Sequence, residues 1–178
     1  MKSTRRDGAW VAVESRARVL GIDPGTRIAG YAVIEFDLRH EATILDAGVL
    51  RLSEDLPLSV RLRQLHDDVC ELIAEHAPTH MAVEAVFAHT AHARTAIQMA
   101  HGRGVVLLAA EARGLAVAEL PPAEVKKALT GNGRASKEQM QHAVMRQCGL
   151  ATAPEPPDVA DAIAIALCGG RRLRSLVG

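Results

Sequence analysis

Four carboxylates stand out in this sequence by the company they keep. Asp23 closes the apolar run Val19-Leu20-Gly21-Ile22, and Glu84 closes Met81-Ala82-Val83. Asp158 and Asp161 stand three residues apart at the head of an apolar stretch that runs to Cys168. A carboxylate in an apolar frame is costly to desolvate, so each needs compensation. Local compensation is available to every one of them. Asp-Pro-Gly is a turn sequence whose Asp bonds nearby backbone amides. A strand-end Glu can be simply solvated, and Asp at a helix N-cap or first turn is favoured by the orphan amides and the dipole. Their combination points further. Strand ends of α/β sheets present side chains to a crevice, and a spacing of three places Asp158 and Asp161 on one helix face. Clustered carboxylates repel unless cations neutralise them, and hard divalent ions such as Mg2+ or Mn2+ prefer oxygen ligands. Two such ions roughly 4 Å apart serve phosphodiester hydrolysis, which is the chemistry expected here.

Positioning these acids requires strands that end in them and a helix that begins with them. Residues 19–23 read as a buried strand, Pro24-Gly25-Thr26 as a turn, 28–36 as a second strand and 42–52 as a third, an antiparallel meander. Pro57 to His76 carries apolar residues at three-to-four spacing, a helix opened by proline. A strand over 81–86, a helix over 90–113 weakened by Gly102 and Gly104, and a short strand over 115–120 follow. Then come helices from Pro121-Pro122 to Thr130, from Ser136 to Cys148 ended at Gly149, and from Asp158 to Cys168 behind Pro154-Glu155-Pro156-Pro157. The fold class predicted is α/β: a mixed five-stranded sheet, three antiparallel strands and then helix-strand alternation, flanked by helices.

At 178 residues the chain suits one domain. Its expected organisation is a flexible extension over 1–17, the main domain over 18–173 and a tail over 174–178. Aromatics make up only 2%, so the core must be aliphatic. Net charge is zero but uneven: residues 16–84 hold seven basic and twelve acidic side chains, whereas 85–137 hold seven and three. That fits an acidic pocket beside a basic track, and it also fits ordinary fluctuation. Cys70, Cys148 and Cys168 are odd in number and lack zinc or disulfide spacing. With no apolar leader and no membrane-length stretch, the expectation is a soluble cytoplasmic protein.

The motifs form a known set. Residues 19–31, Val-Leu-Gly-Ile-Asp-Pro-Gly-Thr-Arg-Ile-Ala-Gly-Tyr, closely resemble the opening of RuvC, the bacterial Holliday-junction resolvase family. Val83-Glu84-Ala85-Val86-Phe87 looks like its second acidic motif, Gly131-Asn132-Gly133-Arg134-Ala135-Ser136-Lys137 its basic loop, and residues 158–166 its terminal acidic helix. All occur in family order across about 18–170. The resemblance implies a ribonuclease H-like fold and ligation of two divalent ions by Asp23, Glu84, Asp158 and Asp161. It implies DNA contact by Lys126, Lys137 and Arg134, and a base-stacking role for Phe87. It further implies resolution of four-way junction DNA by paired symmetric nicks in recombination and repair, by a homodimer cooperating with RuvA and RuvB. His89 and His92, which follow the acidic strand, are further candidates for phosphate contact, with metal ligation disfavoured because carboxylate sites select hard ions; Arg94, Arg103 and Arg113, spread along a helix, read equally as phosphate contacts or as a solvated face.

Three other readings compete. Another ribonuclease H-like nuclease, acting on RNA or a different branched DNA, would share the same core. An actin-like ATPase would share Asp-x-Gly-Thr but needs a second large domain and a second phosphate turn. A non-enzymatic DNA-binding module would explain the basic stretch and not the four acids. A homodimer requires an interface, and residues 96–112, with small side chains beside Val105, Val106, Leu107 and Leu108, are the predicted surface unless that helix merely covers its own sheet.

Overall fold

The computed structural model describes residues 16–39, 41–85 and 93–175, excluding the side chains of 93–95, 174 and 175. Its strands are β1 (Ala17–Asp23), β2 (Ile28–Phe36), β3 (Ala42–Arg51), β4 (His80–Glu84) and β5 (Ala116–Leu120). They form one sheet in the order β3-β2-β1-β4-β5. The first three pair antiparallel, and β4 and β5 join in parallel, as the meander followed by helix-strand alternation predicts. The helices are α1 (Leu58–His76), α2 (Ala93–Ala112), α3 (Pro122–Thr130), α4 (Lys137–Cys148) and α5 (Pro157–Ser175).

Period-two alternation divides the sheet between two cores. Val19 of β1 and Ala82 of β4 face α3, α4 and α5, whereas Leu20, Ile22, Met81 and Val83 face α1 and α2. Central β1 is buried on both faces, which is why it reads as a continuous apolar run. The same alternation fixes the acids: Asp23 follows Val19 and Gly21, and Glu84 follows Ala82, so both belong to the α5 face.

That helix approaches the sheet unusually closely. A Cβ at Gly21 would lie 2.6 Å from the Ala162 carbonyl oxygen, and one at Gly30 would overlap the backbone of Asp158. Hydrogen in place of a side chain at these two positions lets α5 seat its acid-bearing turn against β1 and β2. Gly102 does the equivalent on the other face, where its Cβ would stand 2.9 Å from the Gly25 carbonyl oxygen. Here the glycine that weakened the helix prediction is a packing notch.

The largest departure from expectation is the end of α5. The sequence predicts a stop near Cys168, before Gly169-Gly170; the helix instead continues to Ser175. Gly170 lies directly against the Phe36 ring, which a Cβ would overlap, so this glycine makes room for an aromatic rather than terminating the helix. Elsewhere boundaries shift by one or two residues: β3 stops at Arg51, β4 runs from His80 to Glu84, β5 starts at Ala116 and α2 ends at Ala112. Among the described residues no helix is long and apolar enough to cross a membrane.

Candidate active site

Asp23, Glu84 and Asp161 converge on one pocket of about 320 Å³. The first two arrive on adjacent parallel strands, whose register pairs Ile22 with Val83, and the third on the first turns of α5. Lys126 from α3 and Lys137 from α4 line the same pocket, and Val125, Met140 and Ile165 supply its apolar wall. Asp158 is placed differently. It lines a neighbouring hollow with Gly25, Thr26 and Met99, yet its charge acts on both Asp23 and Asp161. The four predicted acids thus share one electrostatic cluster but not one cavity.

Electrostatics show how tightly they are held. Burial first, then the charges of Glu84, Asp161 and Asp158, push the Asp23 carboxyl from the ordinary 3.8 up to about 7, against the pull of Lys137. Glu84 is raised by burial and by Asp161, and Lys126 opposes the rise. Asp161 is raised chiefly by burial and pulled back by Lys137, whose ammonium stands 3.5 Å from its Oδ2. Acids raised by burial and by one another are what a cation would relieve. Among the described residues the pocket offers carboxylate oxygens and neither thiol nor imidazole, a donor set that fits Mg2+ or Mn2+. Among the described residues no three acidic, His or Cys side chains already converge on one point at ligating distance.

The basic elements are held by local bonds. Thr130 Oγ1 donates to the Lys126 carbonyl and accepts from the Asn132 N–H, while the Asn132 side chain accepts from the Arg134 N–H. Gly131 takes the left-handed conformation, φ 77°, that ends α3. Ser136 and Gln139 then form a reciprocal capping box that starts α4 with Lys137 as its first residue. Arg134 is exposed on this loop and does not line the pocket. Phe87, His89 and His92 lie outside the described residues, as does the side chain of Arg94. Arg103 is no solvated charge: its side chain is 20% exposed and pairs with Glu119 of β5. Arg113 is exposed.

Two features escaped the sequence reading. Arg61 of α1 donates from its guanidinium to the Thr26 carbonyl at 2.8 Å, bracing the turn that follows Asp23. Arg27, just beyond that turn, pairs with Glu54. Only the adjacency of Arg27 to Asp-Pro-Gly-Thr could have pointed to the second.

Residues 19–169 match the family model described as "Crossover junction endodeoxyribonuclease RuvC". The chain belongs to the RuvC family. A crossover junction endodeoxyribonuclease RuvC from Rhodopirellula baltica is 47% identical over 155 residues, 87% of this chain and 86% of that protein. The solved structure of RuvC from Thermus thermophilus matches with a TM-score of 0.80 at 34% identity, covering 89% of this chain and 96% of that one. A structure of Thermus thermophilus RuvC in complex with Holliday junction substrate matches with a TM-score of 0.82 at 33% identity, covering 90% and 97%. The ribonuclease H-like fold of the RuvC family accounts for the sheet order and its flanking helices.

Proposed function

We propose that this chain is a structure-selective DNA endonuclease that resolves Holliday junctions by paired symmetric nicks, with Asp23, Glu84, Asp158 and Asp161 as its catalytic and metal-holding acids. The observation that carries this is the gathering of Asp23, Glu84 and Asp161 around one pocket whose rim holds Lys126 and Lys137. Two Mg2+ or Mn2+ ions held by the acids would supply a nucleophile at neutral pH and stabilise the leaving oxygen. The lysines take the non-bridging oxygens of the scissile phosphate, replacing Lys137's pairing with Asp161 by one with DNA. Arg134 on its braced loop, with His89 and Arg94, meets the flanking backbone, and these contacts position without reading sequence. Phe87 stacks on a base near the junction centre.

Resolution needs two cuts, and each acid cluster addresses one strand, so the reading includes a twofold homodimer. Support for its surface lies in α2. Val106, Ala109 and Ala110 are buried against the chain's own core, whereas Ile97 and Leu108 are 59% and 61% exposed, on one stripe with His101 and Gly104. The exposed apolar stripe, opposite the face that packs on the sheet, supports α2 as the partner surface of that reading. Cooperation with RuvA and RuvB and a cytoplasmic location complete the proposal, with residues 18–173 as the nuclease domain. The test is single-turnover cleavage of a synthetic four-way junction with and without Mg2+ or Mn2+, repeated with dimers mixed from wild-type and Glu84→Gln chains. Wild type should give metal-dependent resolved duplexes, and mixed dimers should stop at one nick. Metal-independent cutting, or full resolution by mixed dimers, would count against the proposal.

A further inference from the structure

Asp158, which acts electrostatically on Asp23 and Asp161 of the lysine-rimmed pocket, itself lines a second hollow, of about 680 Å³. Its lining includes the Gly25-Thr26 turn, braced by Arg61 and closely approached by Gly102. Arg27 and Arg51 line it too, with Gln98 and Met99 of α2. The Arg27 guanidinium is occupied by Glu54, but both side chains are open to solvent, 65% and 55% exposed. An exchangeable surface pair of this kind is worth little by itself. The Arg51 guanidinium makes no hydrogen bond or ion pair among the described residues, although its carbonyl accepts from Gln64.

Two hollows whose acids form one electrostatic cluster, each lined by two cations, have the layout of a track for a polyanion crossing the acids. Arginine suits the second station, because its planar fork matches phosphate geometry and it is only weakly hydrated. We propose that this hollow is a nucleotide subsite for the cleaved DNA strand, in which Arg27 and Arg51 hold the phosphate backbone beyond the cut. Glu54 is the placeholder that Arg27 leaves when a phosphate arrives. Gln98, carrying both a donor and an acceptor, faces the sugar or base of the same nucleotide. The proposal rests on the nuclease reading above and assigns that site its second half.

The test separates the two. Wild-type cleavage with Mg2+ reports on the nuclease reading. The subsite is read from binding of a synthetic four-way junction without divalent ion, titrated across a salt series. Arg27→Gln and Arg51→Gln should each flatten the dependence of log affinity on log salt by about 0.7–0.9, one phosphate contact. Arg39→Gln removes the same charge from the β2–β3 turn at the opposite end of the sheet and should leave the slope alone. Glu54→Gln should raise affinity at low salt. In wild type, neutralising single phosphates as methylphosphonates should locate positions on one side of the cut where affinity falls, and Arg27→Gln should no longer respond there. Slopes unchanged in both arginine variants, or an equal change in Arg39→Gln, would overturn the subsite. So would an Arg27→Gln protein that responds to every methylphosphonate as wild type does, while loss of affinity in Glu54→Gln would overturn the placeholder role.

Discussion

Lys137 Nζ stands 3.5 Å from Asp161 Oδ2, tying the first residue of α4 to the acid-bearing turn of α5. This lysine opposes the burial and mutual repulsion that raise the carboxyls of both Asp161 and Asp23, so without it both would hold their protons to higher pH. Lys137→Gln should therefore move the acidic limb of the cleavage pH profile to higher pH at sub-saturating metal, and Lys137→Arg should restore it. A profile that merely drops in height would leave Lys137 a phosphate contact alone.

The four acids give the most direct prediction. Changing Asp23, Glu84, Asp158 or Asp161 to its amide keeps shape and removes a charge that the proposed mechanism gives to the metal ions, and should cost about 3 kcal/mol or more of barrier stabilisation, roughly a hundredfold in rate. Junction binding without metal should hold or improve as repulsion of the phosphate is relieved. Single-turnover cleavage beside equilibrium binding checks it; wild-type cutting by any one variant removes that residue from the site.

Asp23 also links stability to pH. Its carboxyl titrates at about 7 in the folded protein and near 3.8 when ordinarily solvated. Between those values the unfolded chain has lost the proton that the folded one keeps, so metal-free stability falls as pH rises, and the loss is complete above about 7. At about 1.4 kcal/mol per unit the effect amounts to several kcal/mol. Thermal unfolding without metal should show higher stability at pH 5.5 than at pH 8, a difference that shrinks in Asp23→Asn and when Mg2+ is added. A wild-type difference untouched by both would place the titration elsewhere.

The glycine seam predicts a mutation that disables the site from outside it. A methyl at Gly21 meets the Ala162 carbonyl at 2.6 Å, too close for anything but displacement of α5. Gly21→Ala should cost about 1–3 kcal/mol of stability, the usual range for overpacking. It should also slow cleavage by carrying Asp158 and Asp161 away from Asp23 and Glu84. Unfolding curves and cleavage rates measured together would reveal it, and a variant as stable and active as wild type would show that α5 does not depend on that notch.

Much of this molecule was legible in the residues themselves. Alternation and apolar runs are local signals, and they located five strands, five helices and the three-strand meander to within a few residues, except for the C-terminal end of α5. The four acids stood out as candidates because ionisable groups in apolar frames are conspicuous, and three of them line one pocket. What the residues could not convey is what packs against what. Gly170 lay beyond the expected end of the last helix and is a slot for Phe36 in the fold; Arg103 reads equally as a phosphate contact or a solvated charge and is paired with Glu119 of β5. The neighbours that set these roles lie far along the chain. The same holds for the acids: Asp158 and Asp161 share a helix face in sequence, yet tertiary packing puts Asp161 with Asp23 and Glu84 in one pocket and Asp158 in the hollow beside Arg27. Spacing along a helix specifies direction around its axis, and only the seating of that helix on Gly21 and Gly30 decides which cavity each direction meets.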